Sequence, residues 1–102
     1  MLFGGNCDGW YLLESRCFNI KLEKIPTGSS TSMHYHKEMT QFFFVESGVL
    51  SIESAGRIRV LKPCEGITFK GNEKHRVHNS HDEVAEYLVS ERYVDDCATY
   101  YD

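Results

Sequence analysis

The sequence predicts an all-β domain, a sandwich or small barrel built from about eight or nine short strands. Two observations carry this prediction. Short runs of β-branched and aromatic residues recur roughly every ten residues, each closed by a turn signal. Segments with the 3.6-residue period of an amphipathic helix are hard to find along the chain.

The elements follow in order. Gly9 to Leu13 is a first apolar run and gives way to Glu14-Ser15. Cys17 to Glu23 alternates Phe18, Ile20 and Leu22 against polar neighbours, the period of a half-buried strand. It stops at Ile25-Pro26-Thr27-Gly28, a proline-glycine turn. Ser32 to His36 and Gln41 to Glu46 are predicted strands, and Ser47-Gly48 punctuates the second. Val49 to Glu53 and Arg57 to Leu61 flank Ser54-Ala55-Gly56, which has the form of a hairpin loop. After a turn at 62–66, Ile67 to Phe69 and His75 to Asn79 are short strands around a second turn at 71–74. Asp82 to Glu91 closes the set, and the tail beyond Arg92 shows no pattern.

Composition bounds the function. The chain has 102 residues, 41% hydrophobic and 25% charged, which fits one globular domain with one modest core. Eleven basic residues stand against fifteen acidic ones, for a formal charge of −4. With no basic run, nucleic acid is not expected as a partner, because neutralising phosphates needs clustered Lys and Arg. The longest apolar run, Phe42 to Val45, is far too short to span a membrane. The N-terminus has no basic segment followed by an apolar stretch, so a cytoplasmic chain is expected. Cys7, Cys17, Cys64 and Cys97 form no C-x-x-C pair and are expected to be reduced, mostly buried thiols.

The distinctive feature is His34-Tyr35-His36. On a strand, residues two apart project from one face, so both imidazoles point the same way. Neutral imidazole is a favoured ligand for first-row metal ions. Gly28 precedes His34 with five residues between, Gln41 follows His36 after four, and Gly48 follows Gln41 after six. This pattern resembles the first signature motif of the cupin superfamily, with glutamine where the family usually has glutamate. Gly66, Gly71, His75 and Asn79 resemble the second motif in part: His75 and Asn79 keep the family's spacing, while Ile67 replaces its aspartate and its proline is missing.

That resemblance covers about residues 16–91. It implies a cupin-type double-stranded β-helix, or jelly-roll barrel, over 16–91, with a strand or arm at 1–15 and a tail at 92–102. It also implies one divalent transition metal (Zn, Ni, Fe, Mn, Co or Cu) held by His34, His36, Gln41 and His75 in the barrel mouth. The residue pattern agrees: Gln41 shares a strand face with Phe43 and Val45, and His75 shares one with Val77 and Asn79, so polar ligands would sit over an apolar floor.

Glutamine in place of glutamate leaves a divalent ion near a formal +2 rather than about +1, which favours Lewis-acid chemistry over iron oxidation. Gln41→Glu is then expected to keep the metal and to raise affinity for hard cations. The function expected is a metal-dependent isomerase or lyase acting on a small polar molecule, such as a sugar or sugar acid. A non-catalytic ligand-sensing domain and an iron dioxygenase are the alternatives. No general acid or base stands out; Glu38, Glu46 and Glu73 are candidates, with Glu46 expected to face outward. His78 and His81 are expected at the surface, and Arg57 and Arg59 on a solvated strand face. Phe42 and Phe44 should point away from the interior, where a homodimer interface would cover them.

Overall fold

The computed structural model describes residues 2–3, 7–31, 33, 39–71 and 73–93, those before Gly9 by backbone alone. Nine strands and no helix form among them: β1 (Leu2–Phe3), β2 (Cys7–Glu14), β3 (Phe18–Ile25), β4 (Met39–Ser47), β5 (Leu50–Ser54), β6 (Arg57–Leu61), β7 (Gly66–Phe69), β8 (Arg76–His78) and β9 (Ala85–Tyr93). No helix is long and apolar enough to cross a membrane. The expected strand at Ser32 to His36 lies outside the described residues.

The strands form two antiparallel sheets. One is six-stranded in the order β1-β2-β3-β9-β4-β7, and the other is three-stranded in the order β6-β5-β8. Ile25, Phe43, Val45, Phe69, Ala85, Tyr87 and Val89 of the first sheet form one buried cluster with Leu50, Ile52, Leu61 and Val77 of the second. The sheets therefore pack face to face, as in a jelly roll. In the large sheet β9 lies between β3 and β4, so it pairs with strands far from it in sequence.

Local chemistry explains the corners. Ala55 and Gly56 both adopt positive φ, 53° and 73°, which lets the β5–β6 hairpin close in two residues. Asn79 ties three segments together: its Nδ2 donates to the Ile25 and Glu83 carbonyls, and its Oδ1 accepts the His81 N–H. The Gly28 N–H donates to the Asn79 carbonyl at 2.7 Å, and the Thr31 N–H to Val77 at 2.9 Å, so the segment after β3 runs beside β8.

Gly48 has φ +75°, and a Cβ there would lie 2.5 Å from the Val84 carbonyl oxygen and 2.8 Å from the Ala85 Cα. Both obstacles are backbone and cannot swing aside. Gly48→Ala is expected to cost about 2–4 kcal/mol, the strain of a left-handed residue plus overpacking. A urea titration reads this directly, and an unchanged midpoint would refute it.

Three expectations change. Cys17 is disulfide-bonded and Cys64 is exposed, where reduced and mostly buried thiols were expected. The cytoplasmic expectation loses that part of its support, because disulfides persist in oxidising compartments. On β3 the buried residues are Asn19, Lys21, Glu23 and Ile25, while Phe18, Ile20 and Leu22 are only half-buried. The reason lies on the sheet's outer side, where Trp10, Leu22, Leu88 and Phe44 stand in one cross-strand row and shelter one another. His81 is half-buried rather than exposed, with its Nε2 3.1 Å from the Ser51 hydroxyl.

Candidate metal centre

Gln41, Phe43 and Val45 alternate inward along β4, at 4%, 3% and 0% exposure. His75, Val77 and Asn79 do the same on and beside β8. The inward faces of both segments are thus those expected from the alternation. Gln41 stands opposite Phe69 in the β4–β7 register, and the His75 ring stacks on Phe69 with centroids 4.5 Å apart. Phe43 meets the same imidazole edge-on at 5.6 Å. Gln41 and His75 therefore flank one aromatic floor at the same end of the domain.

The imidazole is fixed chemically as well as by packing. His75 Nδ1 lies 3.0 Å from the Glu73 carbonyl oxygen. A carbonyl only accepts, so Nδ1 carries a proton, and in the neutral ring the lone pair lies on Nε2. That is the tautomer a metal-ligating histidine needs, anchored as such histidines usually are.

Gln41 shows the complementary feature. Its Nε2 donates to Glu91 Oε2 at 2.9 Å, while its Oε1 is buried with no hydrogen-bond partner among the described residues. A buried oxygen left so costs about 1–3 kcal/mol, a cost that a cation or donor at that point would remove. Both residues thus fit a metal as donors. His34, His36 and Glu38 lie outside the described residues. Among the described residues no three His, Cys, Asp or Glu side chains form a metal-holding group.

The interior also holds charge, at Lys21, Glu23 and Glu91. Lys21 Nζ lies 3.0 Å from Glu91 Oε2 and 3.3 Å from Glu23 Oε2, with all three side chains at 11% exposure or less. Burial alone would lower the Lys21 pKa, but the attraction of Glu23 and Glu91 outweighs it and the pKa stands raised. Tyr11 approaches the same ammonium, its ring centroid 6.0 Å away.

Among the described residues, the buried carboxylates are therefore Glu23 and Glu91. Glu46 is exposed as expected, and Glu73 is exposed with its carboxylate accepting the Lys70 N–H. One sequence signal pointed to the interior pair: Glu23 has the strand parity of Ile25, and Glu91 that of Tyr87 and Val89. Arg57 and Arg59 are solvated, but so are Ile58 and Val60 on the other face of β6. His78 points away from the His75 face but, like His81, is half-buried rather than at the surface as expected.

Comparison with known proteins agrees with this architecture. The Cupin_2 family model (Cupin domain) matches residues 21–91. No curated protein matches the chain. The crystal structure of the Cupin_2 domain of an XRE family transcriptional regulator from Enterobacter cloacae is similar at TM-score 0.78 and 22% identity, over 85% of this chain and 96% of that one. A predicted oxalate decarboxylase from Thermotoga maritima is similar at TM-score 0.81 and 20% identity, over 88% and 84%. A sugar phosphate isomerase of the cupin superfamily from Silicibacter pomeroyi reaches 26% identity at TM-score 0.69, over 76% of this chain and 51% of that protein.

Proposed function

This chain belongs to the Cupin_2 family of cupin domains, and from that premise we propose that it is a metal-dependent enzyme acting on a small polar molecule, a sugar or sugar acid. The proposed ligands are His34, His36, Gln41 and His75. The observation that carries the proposal is the Gln41 amide, which is buried and held by Glu91 with its oxygen unsatisfied among the described residues. The similarity to a sugar phosphate isomerase favours a sugar substrate. A divalent ion bound there would supply Lewis-acid polarisation of a substrate carbonyl or hydroxyl.

The protein's own groups complete the site. Phe69 and Phe43 wall the His75 ring and exclude water from one side of it. Glu91 and Lys21 hold the polar row beside it. A second copy of the chain covers Phe42 and Phe44, which stack at 6.4 Å on the outer face of the large sheet, so the protein is expected to sediment as a dimer.

Elemental analysis of protein purified without chelator is expected to find about one divalent transition metal per chain, lost in a His75→Ala variant. Turnover across a panel of sugars and uronates then tests catalysis. Metal-free protein that chelator leaves unchanged would overturn the metal proposal. Thermal stabilisation by a panel member without turnover would make the domain a binding module instead.

A further inference from the structure

Glu91 and Gln41 stand directly opposite each other on β9 and β4, both facing inward at 4% exposure. The carboxylate accepts hydrogen bonds and cannot donate them, so the Gln41 amide must present its NH2 group to Glu91. That contact is 2.9 Å long and determines which way round the amide sits. The oxygen Oε1 is thereby turned away from Glu91. Lys21 secures the carboxylate in turn, donating to the same Oε2 at 3.0 Å, and Glu23 holds the far side of the ammonium at 3.3 Å.

We propose that Glu91 is the positioning residue for Gln41, and that the two together replace a single glutamate ligand. Gln41 offers the cation a neutral oxygen of fixed orientation. Glu91 supplies negative charge one hydrogen bond behind it, from a different strand. The proposal rests on Gln41 being a metal ligand, as set out above.

Lys21 carries one positive charge and Glu23 and Glu91 one negative charge each, so these three interior groups sum to a formal −1. A divalent ion on neutral ligands would therefore enter surroundings that already offset about half its charge. Replacing the glutamate ligand by glutamine moves the anion outward without removing it. The single change Gln41→Glu then adds a third buried carboxylate, set directly against Glu91, beside one ammonium. Gaining affinity for hard cations therefore requires Glu91→Gln as well, which revises the expectation from the sequence that Gln41→Glu suffices.

Four proteins test this: wild type, Gln41→Glu, Glu91→Gln and the exchange variant carrying both. Thermal midpoints in chelator read the pair without metal, and calorimetric titration with Zn²⁺ and Mn²⁺ reads the site. Each single change is expected to lower the chelated midpoint by roughly 5–10 °C, and the exchange variant to recover most of the loss. Glu91→Gln is expected to weaken Zn²⁺ binding about 10- to 100-fold, and Mn²⁺ binding should strengthen only in the exchange variant. Additive losses of midpoint, or Glu91→Gln binding Zn²⁺ like wild type, would overturn the proposal. If wild type takes up neither ion, the metal assignment fails on its own, while the midpoint cycle still decides whether Glu91 positions Gln41.

Discussion

Lys21→Met is expected to destabilise the domain by about 3–5 kcal/mol, the usual result of removing one partner from a buried ion cluster. Methionine nearly matches lysine in length, so the loss comes from charge and not from a cavity. Glu23 and Glu91 would remain at 8% and 4% exposure with no ammonium between them. Urea denaturation measures the effect, and a midpoint within error of wild type would show that the cluster contributes nothing. Neutralising all three groups, as Lys21→Met/Glu23→Gln/Glu91→Gln, is expected to recover most of the stability, because buried ion clusters rarely outperform neutral replacements of the same shape.

The pH dependence follows from the raised pKa of Lys21. A group held above its unfolded value contributes its full stabilisation below that value, about 10.4 for lysine, and loses it as pH climbs through the folded pKa. Wild type should therefore lose stability more steeply than the triple variant above about pH 10. Parallel alkaline limbs would contradict the ion-cluster account.

Phe43→Ala carries the second large effect, also about 3–5 kcal/mol. The ring is 3% exposed and sits at the centre of an aromatic group, with centroids 5.8 Å from Phe69, 5.6 Å from His75 and 6.0 Å from Tyr87. Removing it opens a cavity that both sheets border and takes away one wall of the His75 ring. The midpoint in urea should fall at nearly constant slope, and metal uptake should weaken alongside. Phe43→Leu, which refills most of the space, should recover more than half of both losses. A Phe43→Ala protein as stable as wild type would mean the core collapses around the gap.

The inward facing of Gln41 and His75 is legible in the chain because two signals coincide there. Gln41 and His75 were placed by motif spacing, and alternation independently gave each of them apolar companions, Phe43 with Val45 and Val77. The structure puts both residues on that shared inward side. Glu91 and Lys21 had no such double signal. Each is a charged residue within an alternating strand, which reads as the wet face by default. The Glu91–Gln41 contact joins residues fifty positions apart in the chain, and no local pattern registers a pairing that β9 makes only by inserting between β3 and β4.

What the sequence determined by itself was parity. It separated Phe18, Ile20 and Leu22 from Asn19, Lys21 and Glu23, and Phe42 and Phe44 from Gln41 and Phe43, because side chains two apart on a strand must share a face. It also marked the hairpin loop at Ser54-Ala55-Gly56 and the turn at Ser47-Gly48. On β3, which parity faces inward was decided by the tertiary structure alone. On β4 the aromatic residues fall on both faces, and on β3 the charged face turned in. Apolar rows from four strands cover one another on the outside, while Lys21, Glu23 and Glu91 satisfy one another within. Burial depends on what lies across the sheet, and the chain supplies that partner only after it has folded.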